Sequence, residues 1–185
     1  MSFTVAATCR TVEIMNPNAT VRECVDLEQA VELHYRKVYH FALHLARDPE
    51  EAADLTQYAY EQLTRKHEQI RDPGKVKSWL QSTLYRKFID QKRRIIRFPQ
   101  VELDEEATAG EGDGPFPGNS IDAKAAVKAL YQLEDHLRAP LSLFYLESCS
   151  YREIASILDL PVGTVMSRLH RGKQQLYTNL TNPVS

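Results

Sequence analysis

Between residues 150 and 173 the chain reads SYREIASILDLPVGTVMSRLHRGK, and its punctuation leaves room for little except a helix, a tight turn and a second helix. Ser150 and Glu153 form a Ser-x-x-Glu capping box, which starts the first helix at Tyr151. Ile154, Ala155, Ile157 and Leu158 give that helix a narrow apolar stripe. Asp159, Leu160 and Pro161 end it, because Pro161 lacks an amide proton and disfavours helical geometry at Leu160. In the second helix Val165, Leu169 and Leu176 recur at spacings of four and seven and face inward. Thr164, Ser167, Arg168 and Arg171 fall on another side, hydroxyls first and guanidinium groups after them. A helix entering a DNA major groove needs that arrangement: short donors and acceptors at base edges, forked cations for guanine or phosphate. An ordinary helical hairpin with a solvated basic face carries the same pattern.

The 185 residues suffice for one large domain or two small ones, and their formal net charge of −2 argues against a general nucleic-acid glue. That near balance hides segregation. Arg86, Lys87, Lys92, Arg93, Arg94 and Arg97 crowd one stretch, opposed only by Asp90. From Phe98 to Ala123 no Lys or Arg occurs, whereas Glu102, Asp104, Glu105, Glu106, Glu111, Asp113 and Asp122 do. A basic helix followed by an acidic tract signals directed electrostatics. The same tract holds Gly110, Gly112, Gly114, Pro115, Pro117 and Gly118, which sustain neither helix nor strand, so a mobile linker is expected there.

The rest reads as all-α, with no alternating strand pattern of useful length and no repeat. Asp26 caps a first helix whose expected inner face is Val31, Tyr35, Val38, Phe41 or Ala42, and Leu45. Asp48-Pro49-Glu50-Glu51 opens a second helix that buries Ala52, Leu55, Ala59 and Leu63. Asp72-Pro73-Gly74 marks a third start, followed by Val76, Leu80, Leu84 and Phe88 on one inner face. Trp79 has apolar neighbours at helical spacing and is expected to pack in the core rather than to stack on a base. Beyond the linker, further helices are expected around Val127 to Leu137 and Pro140 to Glu147. The expected organisation is an N-terminal extension over 1–20, either disordered or a short regulatory arm, a helical domain over 21–97, a linker over 98–121, a second helical domain over 122–180 and a tail over 181–185.

No stretch approaches the ~20 apolar residues of a membrane span, and residues 1–18 lack a basic start and a continuous apolar core, so no signal peptide is expected. Cys9, Cys24 and Cys149 are widely spaced without CxxC, which fits a reducing, cytoplasmic setting. There is no Gly-rich phosphate loop, no Ser elbow and no metal-spaced Cys/His set, so neither an enzyme nor a cofactor is expected. His40 and His44 lie four apart, a spacing able to bind a metal, but no third ligand is evident nearby.

Taken in order, the two helical bodies and their linker resemble an extracytoplasmic-function (ECF, group 4) sigma factor of bacterial RNA polymerase, in the sigma-70 family. The resemblance spans about Leu27 to Leu180. Its carriers are Asp54-Leu55-Thr56-Gln57 for region 2.2, then Ser78-Trp79-Leu80 and Phe88-Ile89-Asp90-Gln91-Lys92-Arg93-Arg94 for regions 2.3 and 2.4. For region 4 they are Ser150-Tyr151-Arg152-Glu153-Ile154-Ala155 and Pro161-Val162-Gly163-Thr164-Val165-Met166-Ser167-Arg168-Leu169.

The resemblance implies that Asp54, Leu55, Gln57 and Tyr60 dock on the clamp helices of core polymerase, although Leu55 and Tyr60 also read as core. It implies that the loop from His67 to Lys75, with the start of the helix carrying Trp79, recognises the −10 element of promoter DNA. A non-template base is held in a pocket there, the unstacking cost being offset by pocket contacts. On that reading His67, Arg71, Lys75, Lys77, Arg86, Lys87, Lys92, Arg93 and Arg94 meet −10 DNA. Thr164, Ser167, Arg168 and Arg171 would face the −35 groove, with Arg152 and Lys173 on its backbone. The linker would thread the polymerase cleft, or act as a plain tether. An anti-sigma factor, soluble or membrane-bound, is a further partner that the resemblance allows. Three residues depart from the family pattern: Arg86 where Asn is usual, Tyr58 where an acid commonly stands, and Met166 in place of a frequent Lys. A stand-alone helix-turn-helix regulator has no use for the first body. A sigma-like decoy that titrates an anti-sigma factor has no need of basic groups in both.

Overall fold

The computed structural model describes residues 25–97 and 121–181. Readings placed on 1–24, on the acidic tract over 98–120 and on 182–185 lie outside the described residues. Those described contain seven α-helices and two short 3₁₀ turns, and no strand.

The helices begin where the caps require. In α1 (Leu27–Ala46) the Asp26 carboxylate accepts from the amides of Glu28 at 3.0 Å and Gln29 at 3.3 Å. In α2 (Pro49–Lys66) Asp48 accepts from the Glu51 amide at 2.7 Å, with Pro49 at the first turn, where no amide partner is missed. Two 3₁₀ turns, His67–Gln69 and Pro73–Lys75, carry the chain around to α3 (Val76–Arg97). Ala52, Leu55, Ala59 and Leu63 from α2 meet Val76, Leu80, Leu84 and Phe88 from α3, all fully buried or nearly so.

The inner face of α1 differs from expectation. Ala30, Val38, Phe41, Ala42, His44 and Leu45 are buried, while Val31 is 44% and Tyr35 47% exposed. Tyr35 stacks on Tyr39 at 6.3 Å between centroids and lies 5.9 Å from the Tyr60 ring. Aromatic contact along the surface, not burial, therefore accounts for Tyr35.

In the C-terminal part the boundaries move as well. The helices are α4 (Ile121–Tyr131) and α5 (Asp135–Tyr145), so the break falls at residues 132–134 and Pro140 sits inside a helix rather than at its start. Glu134 in extended geometry opens α5, and its carbonyl takes the amides of Leu137 and Arg138 at 2.9 Å each. α6 (Tyr151–Leu158) carries the expected capping box, Ser150 Oγ to the Glu153 amide at 3.3 Å and Glu153 Oε2 to the Ser150 amide at 2.7 Å. Asp159, at φ 54°, turns the chain in left-handed geometry, and its amide reaches the Ala155 carbonyl. α7 (Val162–Thr181) follows, with Val165 and Leu169 buried and Leu176 half-buried. Gly172 lets α7 approach α5: a Cβ there would lie 2.6 Å from Leu141 Cδ1.

The helices before and after residues 98–120 pack on one another, α1 against α5 and α3 against α6. Their cores join into one apolar cluster.

Candidate nucleic-acid interface

The 3₁₀ turns and the first turn of α3 enclose a recess of about 410 Å³ lined by Lys66, Gln69, Ile70, Arg71, Asp72, Lys75 and Trp79. Asp72 shapes its rim by accepting from the Gly74 amide at 3.0 Å, and Lys75 Nζ lies 3.6 Å from the same carboxylate. Trp79 is half-buried: it packs against the core and also walls the recess. Core packing, expected from its apolar neighbours, therefore describes only one of its two environments. Lys66, Gln69 and Ile70 were not singled out from sequence. Their signal is position, since Gln69 and Ile70 lie within the His67 to Lys75 loop and Lys66 directly before it.

Along α3, Arg86, Arg93 and Arg94 are exposed. Lys87 lies 4.8 Å from the centroid of the Tyr58 ring, so Tyr58 holds a cation by its π-face. Lys92 sits 5.3 Å from the Phe88 ring centroid. His67 is half-buried, with Nδ1 2.9 Å from the Thr64 carbonyl, and Arg71 is exposed. Lys77 behaves differently from the others. Its ammonium is 2.9 Å from the Glu147 carboxylate and 3.4 Å from the Glu147 carbonyl, so in this structure it ties α3 to the turn after α5 rather than lining an open surface.

On α2, Asp54 and Gln57 are exposed, as a docking surface requires. Leu55 is 1% exposed and belongs to the core, so it cannot itself touch a partner. Its place on the helix, one position from Asp54, turned it inward. Tyr60 is half-buried and its hydroxyl donates to the Ala30 carbonyl at 3.3 Å. Burial pushes that phenol up to about 12, so it stays a neutral donor.

On α7, Ser167 and Arg171 are exposed and Thr164 is half-buried. The Ser167 hydroxyl donates back to the Thr164 carbonyl at 2.9 Å. Arg152 is exposed on α6, and Lys173 lies 5.0 Å and 5.6 Å from the Phe144 and Tyr145 ring centroids. Arg168 is half-buried. Burial raises the Tyr85 phenol and the Arg168 charge opposes that rise.

His40 and His44 do not form a metal centre with a third ligand; among the described residues no cluster of three or more His, Cys, Asp or Glu could hold one. His44 is 2% exposed, its ring 5.8 Å from that of Tyr131. Burial depresses it to about 4, with the charges of His40 and Arg138 adding to the effect. No described helix is long and apolar enough to cross a membrane.

A helix-turn-helix with exposed hydroxyl and guanidinium groups, combined with a basic helix beside an open recess, defines a two-part DNA-reading protein. Comparison with known proteins narrows that class. The sigma-70 region 2 family model matches residues 30–97, and the sigma-70 region 4 model matches residues 124–176. The chain is 32% identical over 153 residues to the ECF RNA polymerase sigma factor SigE of Mycolicibacterium smegmatis, covering 80% of this chain and 59% of that one. It is 28% identical over 163 residues to SigW of Bacillus subtilis, covering 81% and 86% respectively. The sigma factor RpoE of Bartonella quintana, crystallised with the anti-sigma factor NepR, has the same fold, with a TM-score of 0.70 at 24% identity over 86% of this chain and 99% of that one. The chain belongs to the sigma-70 family, in its ECF group of sigma factors that direct RNA polymerase to promoters.

Proposed function

We propose that this sigma factor takes a non-template base of the −10 element into the recess beside Trp79 and reads the −35 element with α7. The recess carries the reading. It offers an indole wall for stacking, the Gln69 amide for an edge contact and cations at its rim from Lys66, Arg71 and Lys75. The exposed cations of α3 hold the adjoining phosphates. Asp54 and Gln57 dock core polymerase, with Tyr60 buttressing α1 behind them. The two-domain division over 21–97 and 122–180 gives each promoter element its own unit, tethered by 98–121 through the polymerase cleft. The chain performs no catalysis of its own and works in the cytoplasm, where its polymerase is. An anti-sigma factor is a partner of the same class as that bound to the RpoE relative.

The test is run-off transcription with bacterial core polymerase on templates randomised in the −10 element. Gln69→Ala and Lys75→Ala should alter base preference there and slow strand opening, with core affinity and −35 preference intact. Unchanged −10 preference in both variants would remove the recess from promoter recognition. Absence of any run-off product from the parent chain, despite binding of an anti-sigma factor, would make it a decoy.

A further inference from the structure

The outward side of α7 carries an apolar side chain that packing does not explain. The inner stripe, Val165, Leu169 and Gly172, is buried, with Leu176 half-buried beside it. Opposite that stripe, at spacings of three, four and seven, stand Gly163, Met166, Ser167 and His170, all exposed. Met166 is 53% exposed in the second turn of the helix, and Val162, one turn before it, is exposed as well. Gly163 is equally idle within the fold: a Cβ there would meet nothing within 4 Å, so no neighbour demands a glycine. Glycine weakens a helix, and its missing side chain is of use where another surface must come close to the backbone.

The surroundings of Met166 decide what covers it. α7 carries Arg168, Arg171 and Lys173 and no Asp or Glu along its whole length, so a polyanion is the surface that its charge fits. Ser167 and Arg171, exposed on the same helix, make the outward side of Met166 continuous with the residues that face the −35 groove. An apolar side chain in such a row needs an apolar group on the nucleic acid. In the major groove that group is the C5-methyl of thymine.

We infer that Met166 reads a thymine of the −35 element through its C5-methyl group, with Gly163 letting the start of α7 settle close enough for the contact. The inference rests on α7 being the −35 reader. Contact between the Met166 side chain and the methyl removes both from water, and it separates thymine from cytosine without a hydrogen bond. The unbranched side chain adapts its shape to the groove floor, while Arg171 supplies attraction to the backbone.

The experiment uses holoenzyme assembled from bacterial core polymerase and the full chain, which first selects its preferred −35 element from a randomised library. Each thymine of that element, on both strands, is then replaced in turn by deoxyuridine, which removes the methyl and keeps every hydrogen-bonding group. The parent holoenzyme should bind about fourfold more weakly at one such substitution, the effect of losing one buried methyl. Met166→Ala should weaken binding to the unmodified promoter by a similar factor and be indifferent to deoxyuridine at that position. Met166→Lys should show the same indifference, with a salt slope steeper by about one unit. No loss on deoxyuridine at any position would overturn the inference, and so would a loss that persists in Met166→Ala. Weaker binding of Met166→Ala to core polymerase alone would place the side chain against protein and overturn it too. Arg171→Ala tests the footing separately. If promoter binding and its salt slope are unchanged in that variant, α7 is not the −35 reader; a normal Arg171 effect beside deoxyuridine indifference in the parent removes only the methyl contact.

Discussion

Arg138 and Leu45 are 93 residues apart in sequence and 2.8 Å apart in space, guanidinium nitrogen to main-chain oxygen. That bond and its neighbour to His44 mean that α1 is completed by a residue from the far side of the acidic tract. The helix end, a local feature, thus depends on a tertiary contact.

Arg138→Met should therefore cost more than a surface arginine does. It strands the carbonyls of His44, Leu45 and Leu133 and leaves Asp135 with Arg47 alone, so the expected loss is about 3–5 kcal/mol, the range for breaking a buried charged network. Urea unfolding followed by circular dichroism measures it; a loss below about 1 kcal/mol would mean water replaces the guanidinium there without penalty.

Stability should fall on acidification. His44 is depressed to about 4 when folded, against 6.5 for the free side chain, so the unfolded chain binds the extra proton between those values. Its contribution is complete above pH 6.5 and is lost as pH falls toward 4. Between pH 7.5 and pH 5 the loss is on the order of 2 kcal/mol. His44→Leu should flatten that part of the profile in urea titrations; an unaltered slope would assign it to other groups.

Gly172 holds α7 against α5. Gly172→Ala gains roughly 1 kcal/mol of helix propensity but drives a methyl into Leu141, itself 0% exposed. Overpacking of that kind costs about 1–3 kcal/mol, so the net effect should be a lower melting temperature. A rise would show that Leu141 can move aside.

Arg168 and Arg171 should separate in function although they project to similar sides of α7. Arg168→Ala is expected to relax preference at one −35 base pair by about 1–3 kcal/mol. Arg171→Ala should weaken all promoters alike and make the salt slope shallower by about one unit. Transcription from a library randomised in the −35 element, at two salt concentrations, distinguishes them. Unaltered preference and activity in both variants would exclude α7 from −35 reading.

Much of this protein was legible in order of sequence. The caps at Asp26, Asp48 and Ser150, the buried stripes of α2 and α3, and the turn at Asp159 to Pro161 all depend on residues within a few positions of one another. Local sterics and hydrogen bonds decide them, and those are written in spacing. The family resemblance likewise rested on short strings, and the region 2 and region 4 matches bear it out. The tertiary structure decided what lies over each face. Periodicity places Val31 and Tyr35 on one side of α1 but does not say that the fold leaves them exposed. Periodicity puts Leu55 in the buried stripe of α2, where the structure has it, so only the docking role implied for it by the resemblance is lost. Charge is the least legible property of all. A lysine facing phosphate and a lysine facing Glu147 look the same in sequence, and so do a surface arginine and Arg138, because an ion's role is set by the partner that the fold brings within reach.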